Sequence, residues 1–312
     1  MTAEIRYGKG NVCVYRFYGS PLEGVTPIPE SPFAGRTNTL FAYDIDVEVY
    51  GDAFLPAYTE GDNSQVVATD SMKNFIHGQA IAYTGATLEG FLEFLGTQFL
   101  TTYAQMGWVR VRGREIPFHA APVPGEGGHF SASPVLFSHG RSEHATAELD
   151  VHRDGHGTKV TALQAGMVDL HLIKVTGSAF AQFVRDGFTT LEERVDRPLY
   201  IFMDVGWKYT DPHDAIDPTH ARYVAAEQVR DLCAVTFHDF VSMSIQHLIW
   251  EMGKRLLARF PQLASISFEA QNRLWDVVVR ANDGTKVASY CDPRPPYGSL
   301  SLVIHREDVA GH

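Results

Sequence analysis

Five short stretches carry residues whose types could do chemistry together. In YGKGN, Lys9 sits between two glycines at the start of an alternating strand. Its amine is either a solvated turn lysine or a group that takes and gives protons. In VVATDS, the strand-like triplet Val66, Val67, Ala68 runs into Thr69 and Asp70, where an amphipathic pattern begins. Those two residues read as helix caps or as polar groups held for a substrate. The first N–H groups of a helix have no internal partner and can receive an anion or a carbonyl oxygen. SMSIQ repeats the arrangement: Ile245 and Gln246 fall in the first turn after Ser242 and Ser244. That leaves the Ile245 N–H open, with the Gln246 amide at the same edge. In VDRPLY, Arg197 precedes an apolar strand and Pro198 restricts the approach. A guanidinium, a primary amide and a free N–H can together grip the edge of a planar heterocycle with alternating acceptors and donors. Phe180, in GSAFAQF, offers a flat face for stacking, or else a core position on an amphipathic helix.

The elements that must position these groups are legible from periodicity. NVCVYRFY and LFAYDIDVEVYG read as strands, the second alternating Phe41, Tyr43, Ile45, Val47 and Val49 on one face. A helical zone over 71–80 follows. TLEGFLEFLGTQFLTTY is a second helix, with Leu88, Phe91, Leu92, Leu95, Phe99 and Tyr103 at 3/4 spacing. GWVRVRGREIPF and ATAELDVHRD are strands. The second half repeats the order. MVDLHLIKVTG and LYIFMDVGWKY are strands, helices are expected over 220–240 and 244–260, and ISFEAQNRLWDVVVRA and GSLSLVIHRE are strands. Each half reads ββααββ, which predicts an α+β class with antiparallel sheets. The turn-rich stretch 121–134 reads as a mobile loop, and HRDGHGTK, 152–159, as the junction between domains 1–154 and 155–312.

Composition excludes several functions. The 312 residues are 45% hydrophobic and 20% charged, with a formal net charge of −11. The balance argues against nonspecific nucleic-acid binding. It also means that an anionic substrate needs a local cationic site, since the overall field opposes it. No apolar run is long enough for a transmembrane helix, and MTAEIRYGKGN lacks the apolar region of a signal peptide. Three cysteines, Cys13, Cys233 and Cys291, lie far apart, which predicts neither a disulfide framework nor a cysteine zinc site, and points to a reducing cytoplasm. The 14 histidines do not cluster; His152 and His156 share a turn, and no H-E-x-x-H occurs. GEGG lacks the Lys-Ser/Thr of a phosphate loop, and no G-x-S-x-G is present.

In this order and spacing, YGKGNVCVYR, DNSQVVATDSMKN, FVRDGFTTLEERVDR, SIQ and PYGSL resemble the signatures of the urate oxidase family over nearly the whole chain. VATDSMKN together with FTTLEERVDR is the most specific part. The resemblance implies two tandem T-fold domains per subunit, and a homotetramer stacked into a barrel around a tunnel, with active sites at subunit interfaces. It implies oxidation of urate by O2 and water to 5-hydroxyisourate and H2O2, with no metal or organic cofactor. Arg197 and Gln246 would grip the pyrimidine edge of urate and the Ile245 N–H its C2 oxygen. Phe180 would stack on the ring and Leu191 would add an apolar wall. Thr69 and Asp70, from a neighbouring subunit, would bind the imidazole side. Asn272 would face Thr69 across the position of O2 or water, and Lys9 would pair with Thr69 in a proton relay. One departure stands out: the family's Asn-Lys-His-Tyr is Asn272-Arg273-Leu274-Trp275 here. Leu274 cannot carry a proton, so a water or a distant histidine substitutes, or the relay stops at Lys9. The competing readings are a non-catalytic purine-binding T-fold protein and another T-fold purine or pterin enzyme.

Overall fold

The structure is a computed structural model, and it describes residues 5–155, 157–273 and 275–309. His156 and Leu274, both singled out above, lie outside the described residues. The chain forms two compact units. The first takes residues up to Pro27, Pro32–Gly166 and Lys208–Ala225; the second takes Ile28–Ser31, Met167–Trp207 and the residues from Ala226 on.

The first unit contains β1 (Arg6–Phe17), β2 (Leu40–Tyr50), the single-turn α1 (Leu55–Thr59), α2 (Thr69–Ala82), α3 (Leu88–Thr102), β3 (Trp108–Glu115), β4 (Phe118–Pro124), β5 (Phe130–His139) and β6 (His144–Asp154). β7 (Gly157–Lys174) begins in this unit and passes out of it after Gly166. Within the segment 152–159, β6 ends at Asp154 and β7 begins at Gly157. Strands β1, β2, β3 and β6 pair in that order, each antiparallel to the next. The predicted inward set of β2 is buried: Phe41, Tyr43, Ile45, Val47 and Val49 are each no more than 3% exposed. Phe91, Leu92, Leu95 and Phe99 of α3 are fully buried, each contributing about 1.5–3 kcal/mol relative to solvent. The opposite side of the sheet alternates in charge. Arg110 forks onto Asp150 at 2.6 and 2.7 Å, Arg112 meets Glu48 and Glu148, and Arg114 meets Asp44.

The second unit holds the remainder of β7, then β8 (Leu199–Tyr209, its last two residues falling in the first unit), α4 (Ala226–Asp239), α5 (Ile245–Arg259), β9 (Leu263–Asn272), β10 (Val277–Arg280), β11 (Ala288–Tyr290), β12 (Gly298–His305) and the short α6 (Arg306–Val309). The order β7-β8-β9-β12 matches β1-β2-β3-β6 of the first unit, with a helix pair at the same point in the sequence. Its core includes Ile201, Met203, Val205 and Trp207 of β8 and Leu248, Ile249, Met252 and Leu256 of α5, which packs against β9 and β12. The class is α+β with antiparallel sheets, as the periodicity predicts.

Four local expectations are corrected. Segment 121–134 is not a loop: β4 and β5 form a separate two-stranded ribbon turning at Gly125–His129. A two-stranded ribbon leaves each strand an open edge, which is where Pro122 and Pro124 are tolerated. The long strand predicted over 266–281 is two elements, β9 and β10. The helix expected from residue 220 begins at Ala226, after a turn-rich stretch. Val66–Ala68 is coil rather than strand.

Candidate active site

The site residues expected from the sequence fall into two groups, one in each unit. In the first unit the group is built by β1 and the start of α2. Pairing along β1 shifts between Lys9 and Val12, where Asn11 takes φ 55° in a bulge. Asp46 holds the bulge by accepting the Asn11 N–H at 2.6 Å. Gly8 precedes it because the backbone leaves no room: a Cβ there would lie 1.8 Å from the Val47 carbonyl oxygen. Lys9 lines an open pocket of about 370 Å³ with Arg6, Asp46, Glu48 and Arg112.

Thr69 and Asp70 are the first two residues of α2, but neither caps it. Ala68 is the N-cap, and its side chain makes no capping hydrogen bond. The helix start is instead set by Val67 and Met72, both buried at the N′/N4 spacing of a hydrophobic staple. The Thr69 side chain is exposed and, among the described residues, its hydroxyl has no hydrogen-bond partner. Asp70 is exposed and accepts from Lys73 at 2.7 Å. That hydrogen bond and the Lys73 charge, with a smaller contribution from Lys9, hold its carboxyl below the usual carboxylate range. The charge of Lys9 thus reaches the start of α2. A residue not singled out from the sequence ties the two elements together: the Tyr7 hydroxyl accepts the Val67 N–H at 2.9 Å, and the Tyr7 ring packs edge-on against Phe54. The signal available was its i, i+2 spacing from Lys9 on one strand.

In the second unit, Ile245 and Gln246 open α5. Ser244 is the N-cap, and its hydroxyl accepts the His247 N–H at 3.1 Å. The N–H groups of Ile245 and Gln246 have no partner among the described residues. Ile245 is 3% exposed, while Gln246 is open to solvent. Phe180 is not on a helix; it bridges Arg194 through a reciprocal pair of backbone hydrogen bonds at 2.7 and 2.8 Å. Its ring stacks on Phe183 at 5.0 Å, and the Arg197 guanidinium lies 5.5 Å from its centroid. Arg197 has no carboxylate partner among the described residues, and its Nε is buried without a hydrogen bond. Burial first, and the Arg194 charge second, lower its pKa, but a guanidinium stays charged at any working pH.

The segment carrying Phe180 and Arg197 is tied to the connector that leads into α5. Ala179 N–H donates to the Ser242 carbonyl and Arg197 N–H to the Ser178 carbonyl, both at 2.8 Å. The hydroxyls of Ser178 and Ser242, both fully buried, are 3.3 Å apart. This ties the segment carrying Phe180 and Arg197 to Ser242, two residues before the N-cap of α5. Asn272 ends β9, one residue before the Arg273 N–H meets the Tyr200 carbonyl at 3.3 Å. Its Oδ1 is buried without a partner. Leu191 is 41% exposed on the stretch between Phe180 and Arg197. An unpaired guanidinium N–H, an unpaired amide oxygen and an open helix N-terminus in one unit leave donors and acceptors that each cost about 1–3 kcal/mol if buried unmet. They are what a polar, flat ligand would satisfy. Among the described residues, no group of three His, Cys, Asp or Glu side chains is disposed to hold a metal ion.

The family profile for uricase matches residues 38–160 and 163–300. The uricase of Haloferax volcanii is 48% identical over 306 residues, covering 98% of this chain and 99% of its own. The uric acid degradation bifunctional protein PucL of Bacillus subtilis is 46% identical over 309 residues, 99% of this chain. The chain spans 62% of the length of PucL and 60% of the bifunctional relative from Bacillus sp. TB-90. Among solved structures, a uricase from Bacillus fastidious superposes with a TM-score of 0.95 at 45% identity, covering all of this chain and 96% of that one. A hyperthermostable urate oxidase mutant from Bacillus sp. TB-90 superposes at 0.92 with 44% identity, covering 97% and 99%.

Proposed function

The chain belongs to the uricase family, and from that premise we propose that it oxidises urate with O2 and water to 5-hydroxyisourate and H2O2. The observation that supports the reading is the unpaired Arg197 guanidinium beside the Phe180 ring, on a segment tied by its backbone to the connector that leads into the open N-terminus of α5, where Ile245 and Gln246 lie. It matches a flat anion whose edge alternates oxygen and nitrogen.

In this reading the substrate supplies the electrons. A deprotonated urate is electron-rich, and Arg197 favours the anion by charge. Two electrons pass from urate to O2, and the peroxide adds at C5. Loss of H2O2 leaves the oxidised purine, and water adds at C5 to give 5-hydroxyisourate. Thr69 and Lys9 take and return the protons. Asp70 joins Thr69 at the imidazole side of the ring, Asn272 faces the O2 or water position, and Leu191 closes the apolar wall. The work is positioning and electrostatic preorganisation, and it calls on no metal or organic cofactor.

In this reading the chain forms two tandem T-fold domains, 1–154 and 155–312, four subunits form a tunnel-shaped barrel, and each site takes Lys9, Thr69 and Asp70 from a neighbouring subunit. The exposed apolar side chains around Arg197 support a covering neighbour: Val184, Phe188 and Val195 are 88, 92 and 85% exposed. Three free cysteines are consistent with a cytoplasmic location. Among the described residues, no helix is long and apolar enough to cross a membrane.

One assay tests the activity: urate is mixed with the protein in air, and loss of the urate ultraviolet band is followed together with peroxide release. Stoichiometric peroxide is expected. Tight binding of urate without turnover would instead make the chain a purine-binding protein.

A further inference from the structure

β7 ends at Lys174, whose ammonium is spent on backbone carbonyls. Its Nζ donates to Phe237 at 2.8 Å, to His238 at 3.0 Å and to Phe240 at 3.0 Å, and it lies 5.7 Å from the Phe237 ring centroid. An ammonium has three hydrogens, and all three are used here. The acceptors belong to the last turn of α4 and the residue just past it, where carbonyls lack helical partners and the helix dipole is negative.

The chain leaving β7 wraps tightly around this group. Gly177 takes φ +78°, and a Cβ there would lie 3.2 Å from Cε and 3.4 Å from Nζ of Lys174. Asp196 holds the same turn by accepting from Gly177 N–H at 2.7 Å and from the Thr176 hydroxyl at 2.8 Å. The next residues, Ser178 and Ala179, make the contacts to Ser242 and Arg197 described above. The carbonyls gripped by Lys174 lead in two residues to Ser242 and in four to the N-cap of α5, Ser244. One cation therefore anchors both the segment that carries Arg197 and the connector that sets the Ile245 N–H.

We propose that Lys174 is a positioning residue for substrate binding: by gathering the end of α4 it fixes the distance between the Arg197 guanidinium and the α5 N-terminus. The proposal rests on the reading of Arg197, Ile245 and Gln246 as the grip on urate. Lys174 touches no substrate itself. Its loss should show as weaker urate binding, because donors displaced from their common edge no longer meet one planar ligand together.

The experiment compares Lys174→Met, Lys174→Arg, Gly177→Ala and, as a control, Lys159→Met on the exposed part of the same strand. Each is measured for KM and kcat with urate, and for urate binding without O2. Lys174→Met keeps the stem and removes the donors. It is expected to raise KM and the anaerobic Kd together, on the order of ten- to a hundredfold, with a smaller fall in kcat. Lys174→Arg should recover part of this loss, and Lys159→Met should match wild type. Gly177→Ala crowds the ammonium without removing it and should raise KM in the same direction, which keeps the proposal testable if Lys174→Met does not fold. Loss of thermal stability with KM and Kd within about twofold of wild type would make Lys174 merely structural and overturn the proposal. A wild-type protein that does not bind urate would overturn the functional reading and the proposal with it.

Discussion

The Arg197 guanidinium lies 5.5 Å from the centre of the Phe180 ring, and that relation is held from the backbone rather than by a side-chain partner. Both residues are fastened through Ser178 and Arg194, and the Arg197 side chain itself keeps an unsatisfied Nε. A cation held beside an aromatic ring, with no carboxylate among the described residues to neutralise it, is arranged for something that arrives.

Arg197→Gln should therefore weaken urate binding far more than it perturbs the fold. A charge-assisted hydrogen bond is worth about 1.5–3 kcal/mol, which is a ten- to hundredfold loss. A lysine at this position would keep the charge but not the planar fork, so Arg197→Lys should recover little. Anaerobic titration with urate measures both. Near-wild-type affinity in Arg197→Gln would remove this residue from the grip.

Lys9→Met and Thr69→Ala should act on turnover. Thr69 caps nothing and is exposed, so Thr69→Ala should leave stability within about 0.5 kcal/mol. In both variants kcat is expected to fall with a smaller change in urate binding. Unchanged turnover in both would end the proton-relay mechanism.

Gly8→Ala should damage β1 itself. With the Val47 carbonyl oxygen 1.8 Å from where the Cβ must go, strand β1 has to separate from β2 or shift register. The cost should exceed the ~1 kcal/mol typical of a point substitution, read as a drop in the denaturation midpoint. A midpoint equal to wild type would show that β1 adjusts freely.

Asp196 should give the second unit an acid-sensitive contribution to stability. The Gly177 N–H first, then the Thr176 hydroxyl and Lys286, hold its carboxyl below the usual range. Because the folded value is depressed, the stabilisation is present above the unfolded value of about 3.9 and is lost as pH falls through the folded value. Asp196→Asn should therefore be less stable than wild type at neutral pH, and the difference should close in acid. Chemical denaturation at neutral pH and again in acid, below the unfolded value, checks the sign. A gap that persists or widens in acid would contradict it.

Dilution tests the shared site. If Lys9 and Thr69 reach urate from a neighbouring subunit, specific activity should fall when the protein is diluted below its assembly range, in step with loss of the oligomer by sedimentation. Full specific activity in an isolated subunit would place both halves of the site in one chain.

Much of this is legible in the residues. Alternation in β2 and the apolar stripes of α3 and α5 are local signals, because burial of one face imposes a period of two or 3.6 on any sequence that obeys it. The start of α5 at Ile245 is legible for a similar reason, since Ser244 is a cap within its own turn. Other features are not local. The ribbon at 118–139 is written in Pro, Gly and Ser, and it becomes a strand pair only because each strand finds the other. Phe180 has the neighbours of a helical residue and is a bridge residue, because its backbone partner is Arg194. Thr69 has the residue type of a cap, yet Val67 and Met72 set the helix start by burial. Residue types and periodicity thus determined most of the elements and their order, and they nominated the side chains that could do chemistry. The tie between the segment of Arg197 and the connector into α5, and the nearness of Lys9 to the start of α2, were decided by tertiary structure, because they depend on contacts between segments tens of residues apart that no local pattern encodes.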